Sequence, residues 1–405
     1  MACRVPASRS APPLVGVVAC LFVAGPLVSS SALAAERLLW IGASAGTPRI
    51  DGIYATRFDD ATGTLSPPTR VAELLNPVCL EMHPKLPVLY TAAAVAAGGR
   101  IDSFTIDEAG GGLKPLGNAP GGQTAFGVDP AGKRLFAGLI AGPQSFVSCS
   151  PIANDGLLQP EPKNNGRVRY YPDNAVAEAR KKQPGRNMPR QQEAMVTDVT
   201  PSPDGRFLIA CDLGLDKLFV YSTDAEQATI VPHQTTDLPA GSGPRRFAWH
   251  PSGRFGYALN ELDCSVTTLT FDTQAGTLTI IDTISTLPED ADEWDRKRGL
   301  AQRTFAMDIA AHPSGKFLHV SNVGHDSVAT FSIDEATGKP TFVAAQKTQG
   351  KQPVAISLAP GGGHLLVATH RSGGVEVMAI DPKTGRHTAT AGRAEILAPA
   401  CLRFR

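Results

Sequence analysis

The sequence predicts an all-β protein, a seven-bladed β-propeller of four-stranded antiparallel blades whose N- and C-terminal strands close the ring. Two spacings and the composition carry that expectation. A turn signature recurs as HPKLPVLY at 83, VDPAGKRLF at 128, SPDGRFLI at 202, HPSGRFGY at 250, HPSGKFLH at 312 and APGGGHLL at 359. Its proline stands at 84, 130, 203, 251, 313 and 360, at intervals of 46, 73, 48, 62 and 47 residues. About 21 to 25 residues after each copy comes a second turn, in forms such as DEAGGGL at 107, DTQAGTL at 272, DEATGKP at 334 and DPKTGRH at 381. Glycine (40) and proline (33) are abundant in the 405 residues and long helical periods are scarce, which favours many short strands joined by turns. Each unit reads strand, turn, strand, loop, strand, turn, strand, and radial repetition of that unit is a propeller.

The elements follow in order. Arg4 and Arg9, the apolar run Leu14 to Val28 and the small-residue site Ala32-Leu33-Ala34 read as a cleavable signal peptide over 1–34. Gly25 and Pro26 interrupt the run and no charged stop-transfer segment follows, so no stable membrane span is expected. Lipidation at Cys20 is the weaker reading, because that cut would fall inside the apolar run. The protein is expected to be exported, periplasmic or secreted, with the propeller spanning 35–405. RLLWIGAS, from Arg37, supplies an inner strand without its own partner turn, and the closing ACLRFR suits it as a neighbour in one shared blade.

Two intervals are oversized. The segment 159–192 carries eight Lys or Arg, from Lys163 to Arg190, and YYPDNAVAEARKK reads as a short helix capped near Asp173. The segment 285–303 contains the charged run PEDADEWDRKRG. With strands A to D in each blade, the A–B and C–D turns share one face, while the B–C loops and D-to-A crossovers share the other. Both insertions are read as crossovers on that second face, and long loops in a compact repeat tend to be functional.

Lys plus Arg equals Asp plus Glu at 38 each, so no bulk field points to nucleic acid or a membrane surface. The basic insertion lacks the aromatic interleaving of a single-strand binder. Beyond the leader, Cys79, Cys149, Cys211, Cys264 and Cys401 are an odd, scattered set with no metal-ligand spacing. They read as buried small apolar residues, with one disulfide among them at most. No zinc, Walker, nucleophile-elbow or dinucleotide motif stands out, and no cofactor is implied.

The stretch GPRRFAWHPSGRFGYALNELD, 243–263, holds the candidate site. Arg245 lies eight residues before Gly253 and Glu261 eight after it, so an antiparallel hairpin brings them together at its open end. The internal repeats act as a control. Six residues before and ten after each turn proline stand Val78 and Ala94, Thr124 and Ile140, Thr197 and Leu213, Met307 and Val323, then Val354 and His370. No other blade has a charged pair there. Arg245 can hold an anionic group or steady an oxyanion, and Glu261 can activate water. Their structural alternative is a salt bridge at the mouth of one blade. Neighbouring candidates for substrate binding are Asp212 and Asp216, Asn260 beside Glu261, Asp308, and Asn322, His325 and Asp326. Asp in a short loop is more often a turn residue, and His83, His250 and His312, in the turn signature, read as structural.

The segments SPDGRFLIACDLGLDKLFVY, GPRRFAWHPSGRFGYALNELDCSVTTLTFD, SNVGHDSVATFSID and LAPACLRF resemble the 6-phosphogluconolactonase family of the seven-bladed propeller type, whose fold the fungal carboxymuconate-lactonizing enzymes share. The similarity covers the mature chain with the motif order kept. It implies lactone-ring hydrolysis without a metal, with Arg245 and Glu261 as the family's Arg and Glu. It also implies a histidine before the SPDG turn, where Met195 and Thr197 stand instead. The family's usual His after GPR is Arg246 here, its usual Arg before GHDS is Val323, and Gln123-Thr124-Ala125 lacks a histidine the family often has. The expectation is an exported lactonase-like hydrolase acting on a small-molecule lactone or anionic sugar derivative. The alternative is a non-catalytic propeller that binds an anionic ligand or a protein.

Overall fold

The computed structural model describes residues 36–405 except 48, 94–98, 122–124, 140–144, 170–189 and 292–302, together with Met1 and Ala2. The signal peptide, the helix near Asp173 and most of the 285–303 insertion therefore lie outside the described residues. Seven antiparallel sheets succeed one another along the chain. Their innermost strands are Pro77–Met82, Ala125–Val128, Val196–Pro201, Pro244–Trp249, Phe305–Ala311, Pro353–Leu358 and Pro399–Phe404. The seven-bladed β-propeller read from the repeats is the observed fold.

Burial explains the composition of each strand position. Second strands such as Phe207–Asp212 and Phe255–Asn260 are buried at every residue, because both faces pack against neighbouring blades. They accordingly read as near-continuous runs of apolar and small residues. Outer strands such as Thr229–Asp237 and Thr277–Ser285 line the rim, each with a single buried residue and the rest exposed or half-buried.

The ring closes as expected from the termini. Pro399–Phe404 is the innermost strand of its blade and pairs antiparallel with Glu36–Ala43, from Leu39 opposite Phe404 to Ala43 opposite Pro399. RLLWIGAS is thus a second strand, and its missing turn reflects a partner supplied from the other end of the chain.

Blades are fastened to one another through their turns. His83 Nε2 lies 2.9 Å from the Gly132 carbonyl of the next blade, and His250 and His312 repeat that contact with Gly315 and Gly362. Arg134 takes the same role with Gly205. These histidines hold adjacent turns together.

One strand falls where the sequence suggests an insertion. Arg167–Arg169 is the outer strand of the second blade, pairing with Phe146–Ser148. Residues 159–166 therefore belong to the connection between strands C and D, and only the part after Arg169 is crossover. Arg167 holds this outer strand by lying over the Phe146 ring, 3.9 Å from its centroid, and by pairing with Glu161 at 2.8 Å. All five described cysteines are free thiols.

Candidate active site

Among the described residues, a β-bulge lies at the mouth of six of the seven innermost strands. In Pro244–Trp249 the register passes from Pro244 opposite Asn260 to Arg246 opposite Leu259, leaving Arg245 as the extra residue. The same shift leaves Val78, Thr197, Met307 and Val354 unpaired in their strands. The described residues among the repeat positions preceding the turn proline are thus bulge positions. A bulge re-aims the side chains at its site, and among the described bulges only this one carries a charge.

Arg245 reaches two partners. Its Nη1 lies 2.5 Å from Glu261 Oε2, and its Nε donates to the Met307 carbonyl of the next blade at 3.0 Å. Burial pulls its pKa below the usual arginine value, against the pull of the Glu261 charge. Glu261 is 1% exposed, and its second oxygen, Oε1, is 2.6 Å from Arg190 Nη1. One buried carboxylate is therefore held by two guanidiniums. Arg190 comes from the basic insertion, and the repeat comparison could not single it out, because the insertion has no counterpart in other blades.

Neighbouring groups fix this trio in place. Gln191, which is buried, donates to the Leu213 carbonyl at 2.9 Å and to Asp216 Oδ1 at 2.6 Å, anchoring the chain beside Arg190. Asp216 also accepts from the Gly241 and Gly243 amides at 3.1 and 2.8 Å. Gly243 has φ 62°, and a Cβ there would come within 2.6 Å of Leu262, so the GPR turn needs glycine. Thr197, at a position where the resemblance implies a histidine, donates to the Pro244 carbonyl at 2.9 Å.

The other sequence candidates divide by place. Asp212 accepts from the Met195 amide, at the entry to the innermost strand of its blade, and from the Leu215 amide of its own loop, each at 2.9 Å. Asp326 repeats the Asp216 arrangement one blade pair later, with a left-handed backbone (φ 52°) and the Gln352 amide 2.9 Å away. Asn322 exchanges hydrogen bonds with Thr286 at 2.8 and 3.0 Å, and His325 Nδ1 lies 2.8 Å from the Ser327 hydroxyl. Asn260, fully buried, donates to Ser265 and Thr267 at 2.8 and 3.0 Å.

Asp308 belongs to the central channel. A cavity of about 530 Å³ there is lined by all seven innermost strands, and Arg246, Asp198 and Asp308 face it. Arg246 lies 3.3 Å from Asp198 and 3.7 Å from Asp308. Burial opposes the charge on Arg246, but the two flanking carboxylates outweigh it and raise its pKa. Asp308 is raised by burial, in part offset by Arg246. The two carboxylates also accept the Phe247 and Ile356 amides of the following blades at 2.8 and 2.9 Å, so this chain of charges stitches four blades together. Among the described residues, no group of three or more His, Cys, Asp or Glu is placed to hold a metal ion.

Comparison with known proteins gives the family of the chain. The family described as "Lactonase, 7-bladed beta-propeller" matches residues 39–404. A 6-phosphogluconolactonase of Bacillus subtilis is 26% identical over 356 residues, covering 87% of this chain and 94% of the relative. One of Pectobacterium carotovorum is 29% identical over 291 residues, 71% of this chain and 76% of the relative. The solved structure of a periplasmic gluconolactonase of Pseudomonas aeruginosa superposes with a TM-score of 0.76 at 29% identity, covering 91% of this chain and 99% of that one.

Proposed function

This chain belongs to the seven-bladed β-propeller lactonase family, and from that premise we propose that it is an exported hydrolase that opens an aldonolactone ring with water. The observation that carries the reading is the Arg245–Glu261 pair, 2.5 Å apart at the one described bulge that bears a charge. Glu261 takes a proton from water as the water oxygen adds to the lactone carbonyl carbon. Arg245 stabilises the oxyanion that forms, which a preorganised cation does best where water is excluded. The ring C–O bond then breaks, the ring oxygen takes the proton back from Glu261, and the product acid ionises. Asp216 and its neighbours in the flanking loops hold the pair in register. The 6-phosphogluconolactonases and the periplasmic gluconolactonase among its relatives support this substrate class, and the N-terminal segment supports export.

A second reading, a non-catalytic propeller that binds an anion, is favoured by the two arginines that together outweigh one carboxylate. The test is lactone hydrolysis by the chain from Ala35 onward, followed by acid release against the spontaneous background. Glu261→Gln runs alongside. A rate above background that the variant loses supports the hydrolase. Equal, background-level rates for both proteins across phosphorylated and unphosphorylated aldonolactones leave the binding reading.

A further inference from the structure

The resting site poses a chemical problem. Both oxygens of Glu261 are engaged by guanidiniums, Oε2 by Arg245 and Oε1 by Arg190, so a water that approaches either oxygen competes with a cation. The two arginines are not held alike. Arg245 is tied at a second point, to the Met307 carbonyl, and its side chain is 24% exposed. The Arg190 side chain is 39% exposed, the more open of the two. Its backbone is nonetheless fixed by buried Gln191, which binds the loop of the preceding blade through Leu213 and Asp216. A partly exposed guanidinium on a fixed stem, paired with a buried carboxylate, can exchange that carboxylate for another anion.

We propose that Arg190 is a positioning residue that occupies Glu261 until an anionic substituent of the substrate draws it away. The inference rests on the hydrolase reading above. The trio of Arg190, Glu261 and Arg245 carries a net positive charge, so a carboxylate or phosphate on the lactone is attracted to it. When that group takes the Arg190 guanidinium, Oε1 is released toward the bound ring, while Arg245 stays on Oε2. Release of the base is thereby linked to the charge of the substrate, and neutral lactones meet a site whose base remains engaged. The effect follows from differential binding, since the substituent favours only the arrangement in which Arg190 has left Glu261.

The experiment measures kcat and KM for three lactones that differ in the distal group: neutral gluconolactone, a lactone with a free carboxylate, and 6-phosphogluconolactone. Wild type, Arg190→Gln and Arg190→Lys are compared. Wild type should favour one or both anionic lactones. Arg190→Gln should reduce that preference at least tenfold and raise kcat for the neutral lactone severalfold. Arg190→Lys should restore part of the preference. The carboxylate and phosphate arms show which anion the site takes. Equal losses for all three substrates, or a fall in neutral-lactone kcat, would assign Arg190 a merely structural role and overturn the proposal. If wild type turns over no lactone above background, the hydrolase reading fails by itself. Calorimetric binding of glucose 6-phosphate against glucose then decides the role of Arg190 separately. Selective loss of the phosphorylated sugar in Arg190→Gln upholds an exchangeable guanidinium, and no difference overturns it.

Discussion

Arg245 and Glu261 meet at 2.5 Å because a β-bulge leaves Arg245 unpaired opposite the end of the second strand. The pairing is two-ended, since Arg245 Nε is also committed to Met307. Lysine offers a single point charge and cannot serve both partners. Arg245→Lys should therefore keep the fold but lower kcat by about a hundredfold, as expected when a preorganised oxyanion donor is displaced. Steady-state hydrolysis of the best lactone substrate, with circular dichroism to confirm folding, checks both parts.

Asp216 and Asp326 offer a matched pair of tests. Each has a left-handed backbone, and each accepts the amide of the residue before an innermost strand, Gly243 or Gln352. Only Asp216 holds the strand that carries Arg245. Replacing either by alanine leaves buried amides without an acceptor and should cost about 1–3 kcal/mol of stability. Asp216→Ala should in addition lower kcat/KM at least tenfold through a misplaced Arg245, and Asp326→Ala should not. If Asp326→Ala raises KM as strongly, its carboxylate contacts substrate.

These paired aspartates show where sequence reading ends. The turn signatures and their spacing located the blades because a propeller repeats one packing problem, and five of the six copies solve it with the same Pro-x-Gly turn. The Arg245–Glu261 pair stood out for the same reason, as a departure from the copies. The partners of Asp212, Asp216 and Asp326 were not legible, since a loop aspartate looks alike whether it faces substrate or the next crossover. Arg167–Arg169 escaped notice as a strand because three residues with two arginines have no apolar period. Arg190 was visible only as one charge in a basic segment, for its distance to Glu261 depends on how the crossover returns to the ring.

Acid should destabilise the protein through two buried histidines. His319 is fully buried with no hydrogen-bond partner for either ring nitrogen among the described residues, and its ring centroid lies 4.7 Å from that of His387. Burial lowers the pKa of His387 to about 4, and that of His319 well below its usual value, with repulsion from His387 and His312 adding to the effect. The other groups facing them are neutral, Thr330 Oγ1 at 3.3 Å from His387 Nδ1 among them. Both histidines bind more protons unfolded than folded, so stability rises with pH across this range. It is fully present above the unfolded value near 6.5 and falls as pH drops toward 4. For His387 alone the loss approaches about 3 kcal/mol at the low end. Urea unfolding at pH 7.5 and pH 4.5 should show this loss, and His387→Leu should flatten it. An unchanged pH dependence in that variant would place the acid sensitivity elsewhere.

Arg246 in the channel should matter for stability more than its exposure suggests. It is flanked by Asp198 at 3.3 Å and Asp308 at 3.7 Å, each of which also accepts a backbone amide from the following blade. Arg246→Met removes the cation that, among the described residues, pairs with both carboxylates, and leaves like charges facing one cavity. Truncating one member of a buried charge network costs more than the network contributes, because the partners remain desolvated without compensation. The variant should lose about 2–4 kcal/mol. Adding Asp308→Asn should recover part of that loss, since the amide keeps an acceptor for Ile356 without the charge. Denaturation of the two single variants and the double variant gives the coupling directly. Strict additivity would mean that Arg246 and Asp308 do not interact, and the channel charges would then contribute to stability only through their separate backbone contacts.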